Sequence, residues 1–278
     1  MNKIGILSGK GHLPIAIGKN LINKEYDVKF FCIEKFYDPK DYRKFNYEVI
    51  KLNSLTNIIN ALKKSNINKI IMAGSVKRPS IKDLKFDLNT FKLIKNYSLQ
   101  SKGDDKLLSS ILLLFEKNGF KILDWKKECK ELFSKDVLIT KNKPSKKAYL
   151  NLKKGLDIFR SLGKVDISQS TIIQNEYILG IEAAEGTDEL IRRCATYKKK
   201  GDQGILLKLS KYNQNSNLDI PVIGLNTVKL LKKYDYEGVF IDKNKCIILD
   251  KNEVIKFCNE KKLFISNVVK NWLKTINY

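Results

Sequence analysis

Residues 3–14 read KIGILSGKGHLP, and this stretch with its neighbours decides the fold class. The apolar run 3–7 is typical of a buried strand, and it enters a loop that contains two glycines. A helical pattern follows at 15–24, and a second apolar strand pattern lies at 28–33. Strand, loop, helix and strand in this order indicate a parallel sheet with helices on its faces.

The same alternation continues along the first half of the chain. Helical spacing of apolar residues at 55–65 precedes a third strand pattern at 69–73, which runs into the loop GSVKRP at 74–79. A strong helical pattern at 106–118, apolar on one side, ends at a glycine. The pattern predicts a Rossmann-like α/β domain in which polar loops follow the strands.

The segment 126–147 is polar, rich in lysine and broken by a proline, so we place the domain boundary in it. We predict a Rossmann-like nucleotide- or diphosphate-binding domain at 1–130, a linker at 131–147 and a catalytic domain at 148–278. Strand patterns flank the turn at 174–176, which indicates a hairpin, and a second hairpin is predicted at 238–249. The second domain is therefore expected to be mixed α/β.

The net charge of +23 favours anionic partners, but the lysines are spread evenly through the 278 residues. Such even enrichment is typical of a compositional bias, so we expect no nucleic-acid binding. No apolar run reaches the ~20 residues that span a bilayer, and the N-terminus lacks the apolar region of a signal peptide. The expected location is the cytoplasm.

Metal and nucleophile chemistry based on histidine is disfavoured by composition. The chain has five scattered cysteines and one histidine, so a Cys/His zinc site is not expected. Catalysis by a serine–histidine or cysteine–histidine pair would need His12, which lies in a glycine-rich loop.

The second half carries a dense group of polar residues at a predicted strand-to-helix junction. Residues 181–193 read IEAAEGTDELIRR and place Glu185, Gly186, Thr187 and Asp188 where unpaired backbone N–H groups can bind an anion. Lys208 ends a later strand pattern. Oxygen ligands without histidine suit Mg²⁺, with Mn²⁺ as an alternative.

The first half offers weaker candidates. The loop after the first strand reads G-x-G-x-x-P, without the third glycine of a dinucleotide fold, so a plain tight turn and a phosphate contact remain equally open. Lys77 and Arg78 follow a strand, where open α/β sheets bind ligands. Asp104 and Asp105 open a helix, where one can cap it and the other can contact a ligand.

Six ordered motifs together resemble the LpxI-type UDP-2,3-diacylglucosamine pyrophosphatases of lipid A synthesis, over essentially the whole chain. The motifs are IGILSGKGHLP at 4–14, IMAGSVKRP at 71–79, KGDDKLL at 102–108, LGKVDISQS at 162–170, EAAEGTDELIRR at 182–193 and DIPVIGLNT at 219–227. A lysine at position 10, where relatives often carry glycine, is a departure from the family pattern.

The resemblance implies a two-domain α/β enzyme that hydrolyses UDP-2,3-diacylglucosamine to UMP and 2,3-diacylglucosamine 1-phosphate (lipid X), supported by Mg²⁺. It implies a cytoplasmic homodimer associated peripherally with the inner-leaflet membrane surface, and a catalytic Asp219. Our leading hypothesis is that Asp219, with Asp188 or Glu185, positions the metal and a water. The predicted metal ligands are Asp219 and Asp188. The predicted substrate-binding residues are Gly9, Gly11, Leu13, Gly74, Ser75, Lys77, Arg78, Asp104, Asp105, Gln169, Gly186, Thr187 and Lys208.

Two other functional classes remain open from the sequence alone. A nucleotide-cofactor oxidoreductase is compatible with a Rossmann-like first domain, although the missing third glycine counts against it. An RNA-binding module is suggested by charge alone, and the even spread of lysine counts against it.

Overall fold

A computed structural model describes residues 2–51, 55–74, 104–162, 169–210 and 220–268, with the backbone alone at 104–110 and at 162. The chain forms two compact units, Met1–Cys129 and Lys130–Tyr278. Each unit is built of strands and helices, and the predicted α/β fold class is confirmed.

The first unit is a parallel five-stranded sheet with the order β3-β2-β1-β4-β5. The strand order reverses between β1 and β4, so the loops after these two strands flank the crevice where open sheets bind ligands. In chain order the elements are β1 (Lys3–Ser8), α1 (Leu13–Ile22), β2 (Asp27–Ile33), α2 (Pro39–Tyr42), β3 (Tyr47–Ile50), α3 (Leu55–Lys64), β4 (Lys69–Ala73), α4 (Asp104–Lys117), β5 (Lys121–Ile122) and α5 (Trp125–Glu128).

Helix α1 packs tightly against the sheet because a glycine faces an aromatic ring. A Cβ atom at Gly18 would lie 2.1 Å from Cζ of Phe30 on β2. Both residues are buried, and the phenyl ring fills the space that a side chain on α1 would take. This contact fixes the helix close to the strands that carry the first predicted loop.

The second unit contains a mixed five-stranded sheet with the order β12-β10-β8-β6-β7, and a two-stranded parallel sheet of β9 and β11. Strands β8, β10 and β12 are parallel, whereas β6 runs antiparallel to both of its neighbours. In chain order the elements are a 3₁₀ turn (Lys130–Leu132), α6 (Lys146–Leu162), β6 (Ser170–Gln174), β7 (Tyr177–Ile181), α7 (Thr187–Ala195), β8 (Ile205–Lys208), β9 (Val222–Ile223), α8 (Leu225–Lys233), β10 (Gly238–Asp242), β11 (Ile247–Ile248), α9 (Lys251–Lys261) and β12 (Phe264–Val268).

One of the two predicted hairpins is present. Strands β6 and β7 pair antiparallel through a turn in which Asn175 and Glu176 both have positive φ, which is typical of a tight two-residue hairpin. The hairpin predicted at 238–249 is wrong. Strand β10 lies in the large sheet between β8 and β12, whereas β11 pairs with β9 in the small sheet.

The segment 131–147, predicted as a linker, is hydrogen-bonded to the second unit. Phe133 and Leu138 form isolated bridges with Ile247 and Ser266, and the backbone N–H of Ile265 donates to the side chain of Thr140 at 2.9 Å. The segment therefore runs along the second unit before α6 begins.

Candidate functional site

The carboxyl edge of the second sheet brings together polar groups from four segments. Strand β8 ends there at Lys208, and the antiparallel β6 begins there at Ser170, which is the register partner of Lys208. Strand β7 also ends at this edge, and the backbone N–H of Glu182 donates to the carbonyl oxygen of Ser170 at 2.9 Å. Thr187 opens helix α7 beside them. We call Ser170, Glu182, Thr187 and Lys208 the Lys208 cluster.

The ammonium group of Lys208 is enclosed by this cluster. Its side chain is 5% exposed, and Nζ donates to Oγ of Ser170 at 3.0 Å and to Oγ1 of Thr187. Oε2 of Glu182 lies 3.7 Å from Nζ. The hydroxyl of Thr187 in turn donates to the Glu182 carboxylate, with both oxygens at 3.1 Å. Each polar group of the cluster therefore has a partner.

A buried ammonium is stable only where charge and hydrogen bonds compensate its lost hydration, which otherwise costs several kcal/mol. Glu182 supplies the opposite charge, and the two hydroxyls supply acceptors. Such a fixed cation at the edge of a sheet suits a phosphate oxygen, because it is already oriented before the ligand arrives.

Two helices begin beside the cluster without a side-chain cap. Helix α7 follows Gly186 and helix α8 follows Gly224, and neither glycine has a capping side chain. Asp188 joins the two helix starts, since its carboxylate accepts hydrogen bonds from the Asn226 amide and from the Thr227 hydroxyl at 3.4 Å. These helix starts place backbone N–H groups and partial positive charge at the same edge as Lys208.

Glu185 lies in the same loop but contacts a different partner. Its carboxylate accepts a hydrogen bond from Nη2 of Arg193 at 2.7 Å and another from the backbone N–H of Ala183 at 3.0 Å. The hydrogen bond from Arg193 lowers the pKa of Glu185, with the backbone bonds acting in the same direction. Arg193 also donates to the carbonyl oxygen of Ile181 at 3.3 Å, so this pair holds the loop after β7 in shape.

Family comparisons cover both units. The family description "LpxI N-terminal domain" matches residues 3–132, and "LpxI C-terminal domain" matches residues 135–266. The chain belongs to the LpxI family. It is also 27% identical over 275 residues to the UDP-2,3-diacylglucosamine pyrophosphatase LpxI of Caulobacter vibrioides, which covers 96% of this chain and 98% of that protein. The family prediction made from the six motifs is confirmed.

The LpxI C-terminal match contains the whole Lys208 cluster. Gly186, Thr187 and Lys208 were predicted to bind substrate, and the structure brings Thr187 and Lys208 into contact. The carbonyl oxygen of Gln169, another predicted residue, accepts a hydrogen bond from the backbone N–H of Leu209 at 2.8 Å, next to the cluster. The roles of these residues in this LpxI-family chain stay predictions.

The LpxI N-terminal match contains the two loops at the point where strand order reverses. The backbone N–H of Gly9 donates to the carbonyl oxygen of Ala73 at 2.9 Å. Gly74 has φ +86°, and a Cβ atom there would lie 2.8 Å from the carbonyl group of Gly9. Gly11 also has positive φ, and Leu13 begins α1. The structure therefore brings together the loops that carry Gly9, Gly11, Leu13 and Gly74, as their strand-end positions predict.

Several predicted site residues have no described side chain in this LpxI-family structure. Ser75, Lys77, Arg78 and Asp219 lie outside the described residues. Asp104 and Asp105 begin helix α4, where the backbone alone is described. Their predicted roles are therefore untested by the fold.

Three polar residues at this edge received no binding or catalytic role from the sequence. Ser170 and Glu182 contact Lys208, and Asp242 ends β10, where it accepts a hydrogen bond from the Ser210 hydroxyl. Burial raises the pKa of the nearby Cys246 thiol to about 12, with the Lys208 ammonium acting in the opposite direction and Asp242 in the same one. An acid directly after an apolar strand is a signal that could have identified Asp242.

The described residues alone form no complete metal site. Within these ranges, no three histidine, cysteine, aspartate or glutamate side chains converge as metal ligands would. From the part of the chain that the structure describes, each carboxylate oxygen of Asp188 accepts one hydrogen bond, which leaves lone pairs for a further partner. Mg²⁺ usually binds one or two carboxylates together with waters and substrate phosphates. The donor chemistry of Asp188 fits such an ion.

No helix in the described ranges of this LpxI-family chain is both long and apolar enough to cross a bilayer.

Proposed function

We propose that this chain hydrolyses the pyrophosphate bond of UDP-2,3-diacylglucosamine, releasing UMP and 2,3-diacylglucosamine 1-phosphate. The observation that carries the proposal is the enclosed ammonium of Lys208 beside two uncapped helix starts. Membership of the LpxI family and the similarity to the Caulobacter vibrioides pyrophosphatase support the identity of the substrate.

The Lys208 cluster suits the charge that develops in this reaction. Breaking a pyrophosphate bond increases negative charge on the leaving phosphate, and a cation fixed before the reaction stabilises that charge without reorganising. Lys208 supplies the cation, and the first backbone N–H groups of α7 and α8 are further donors. Removing one such donor in other enzymes lowers kcat by about 10²–10³.

The carboxylates of the second unit are proposed to bind the metal. Asp188 and Asp219 would hold Mg²⁺, with Mn²⁺ as an alternative, and the hydrogen bonds from Asn226 and Thr227 would orient Asp188. When bound, the ion would neutralise phosphate oxygens and lower the pKa of a bound water. Asp219 would be the residue that orients the attacking water.

The glycine loops of the first unit are proposed to contact the nucleotide or the diphosphate. Their backbones approach each other so closely that a side chain at Gly74 would meet the carbonyl group of Gly9. In the first turn of α1, Leu13 and Ile15 carry backbone N–H groups and Pro14 carries none. Such N–H groups suit an anionic oxygen, and this turn has no acidic residue.

The lipid-linked substrate is proposed to bring the protein to an anionic inner leaflet. The net charge of +23 favours this contact, at about 1 kcal/mol for each well-placed cation. A homodimer is also proposed, on the resemblance to the family alone.

The test is UMP release from UDP-2,3-diacylglucosamine by the purified full-length chain, with Mg²⁺ and with a chelator. We expect metal-dependent UMP formation that falls by more than 10²-fold in Asp219→Ala and in Lys208→Met, by loss of a transition-state contact. Lys233→Met, which removes an exposed cation at the end of α8, is the matched control and should retain full activity.

Near-normal turnover in Asp219→Ala would contradict the assigned role of that residue. A folded wild-type protein that releases no UMP would contradict the proposed function. Binding of NAD(P), monitored by the fluorescence of the cofactor, would then favour the oxidoreductase alternative.

A further inference from the structure

The position of Glu182 is fixed by the sheet itself. Glu182 follows β7, and its backbone N–H bonds to Ser170, so its main chain continues the antiparallel ladder by one residue. Its side chain is 16% exposed, and both carboxylate oxygens lie 3.1 Å from the Thr187 hydroxyl. The loop that follows adopts its own shape through Glu185 and Arg193, without involving this carboxylate.

We infer that Glu182 is a positioning residue that acts on the substrate diphosphate through Lys208. The inference rests on the proposed function, in which Lys208 contacts the diphosphate. Glu182 would hold the ammonium at the edge of the sheet and orient the Thr187 hydroxyl, without touching the substrate.

The charge balance of the cluster supports this role. Among the residues that the structure describes, Glu182 is the carboxylate that forms an ion pair with Lys208. A lysine that is 5% exposed keeps its charge and place only while an opposite charge compensates its lost hydration. Without Glu182, the ammonium would be drawn toward solvent, away from the position at which it meets a phosphate oxygen.

The direction of the hydrogen bonds supports it as well. An ammonium group only donates, so Thr187 must accept from Lys208 and use its own hydrogen toward Glu182. A carboxylate at position 182 accepts the hydrogen bond from Thr187 and supplies the opposite charge 3.7 Å from the Lys208 ammonium. Glutamine has the same size, but it is neutral and presents a donor at one end, so it cannot satisfy Lys208 and Thr187 together.

The experiment is a double-mutant cycle with Glu182→Gln, Lys208→Met and the combined variant, each checked for folding by circular dichroism. One readout is kcat and KM for UMP release. The second is calorimetric binding of inorganic pyrophosphate, which reports on the cation without requiring turnover. Glu189→Gln is the matched control, because it removes a glutamate that pairs with Arg192 on the exposed face of α7.

We expect Lys208→Met to lower kcat by more than 10²-fold and Glu182→Gln to lower it by about 10²-fold, the usual range for losing one preorganised group. Pyrophosphate should bind more weakly to both single variants than to the wild type. Because Glu182 acts through Lys208, the combined variant should be no less active than Lys208→Met. Glu182→Asp, which keeps the charge, should recover most of the loss, and Glu189→Gln should match the wild type.

The inference would be overturned if the fold-loss of kcat in the combined variant equalled the product of the fold-losses in the two single variants. Glu182 would then act independently of Lys208. Wild-type kinetics in Glu182→Gln would also overturn it. Should Glu182→Gln not fold, the same cycle with Glu182→Met, which also removes the charge, decides the question by the same rule. Pyrophosphate binding that depends on both residues, in a protein that releases no UMP, would support the inference and contradict the proposed function.

Discussion

Replacing Thr187 with valine tests whether the Lys208 cluster has the hydrogen-bonding pattern described. The two side chains have nearly the same shape, so the substitution removes a hydroxyl without creating a cavity. That hydroxyl accepts from Lys208 and donates to Glu182. Valine therefore leaves one hydrogen of a buried ammonium without an acceptor and removes one donor from a mostly buried carboxylate.

The expected loss can be worked out from these two contacts. An unsatisfied buried polar group costs about 1–3 kcal/mol, and the bond from a hydroxyl to a charged acceptor contributes about 1.5–3 kcal/mol. The two contributions share one hydroxyl and are not additive. We therefore expect the free energy of unfolding to fall by about 3 kcal/mol. For a unit of this size, that corresponds to a Tm lower by roughly 10 °C.

The assay is thermal unfolding by circular dichroism, together with pyrophosphate binding at a temperature where the variant is folded. Thr187→Ser is the control, because it keeps the hydroxyl and loses only a methyl group. It should stay within about 1 kcal/mol of the wild type. A valine variant as stable as the serine variant, with unchanged anion binding, would refute the hydrogen-bonding pattern of the cluster.

Three further predictions concern packing, pH and thiol reactivity. Gly18→Ala should destabilise the first unit by about 2 kcal/mol in a denaturant titration, because its Cβ overlaps Phe30, and Phe30→Leu should restore part of the loss; equal or higher stability of the single variant would contradict the tight packing. Glu185→Gln should lower stability by less than about 1 kcal/mol at neutral pH. Arg193 lowers the pKa of Glu185 in the folded state. The stability difference between wild type and variant should therefore be complete above the unfolded-state pKa of about 4.3, and it should vanish as the pH falls through the folded-state pKa. Unfolding measured at a series of pH values would show this dependence. The five cysteines are buried, and burial raises the pKa of Cys246 to about 12, so a thiol reagent at pH 8 should label them within minutes only after denaturation; rapid labelling of the folded chain would contradict their burial.

Most of the first unit could be predicted from the sequence, because the pattern that identifies each element lies within a short stretch of residues. Strands β1, β2 and β4 were predicted because each is a short apolar run, whereas β3, which reads YEVI, was not predicted. Neighbours in sequence are mostly neighbours in the sheet. The helix predicted at 106–118 spans Asp104–Lys117 in the structure. Parallel α/β order thus predicted the fold class, and two of the loops selected from it lie where the strand order reverses.

The second unit was harder because its short strands pair with distant partners. The two-residue strand β11 pairs with β9, and nothing in the spacing of residues 238–249 distinguishes that pairing from a hairpin. The hairpin interpretation also made Asp242 a turn residue. In the structure Asp242 ends a strand of the large sheet, at the edge where Lys208 lies.

The missed residues of the Lys208 cluster have a related cause. Polar residues were sought at the carboxyl ends of strands, which selected Lys208, the last residue of β8. Ser170 begins a strand, and it reaches the same edge only because β6 runs antiparallel to β8. Such a reversal is visible once the sheet order is known, and the sequence of β6 alone does not reveal it.

The antiparallel pairing of β6 with β8 also governs when the chain acquires its charged edge during folding. Lys208 is 38 positions from Ser170 and 21 from Thr187 in the chain, so these groups meet only after a long loop has closed. An intermediate that contains the β6–β7 hairpin without β8 would have the hydroxyls and the carboxylate but no cation. In a refolding experiment, anion binding should therefore return late, with the β6–β8 pairing, and not with the earlier hairpin.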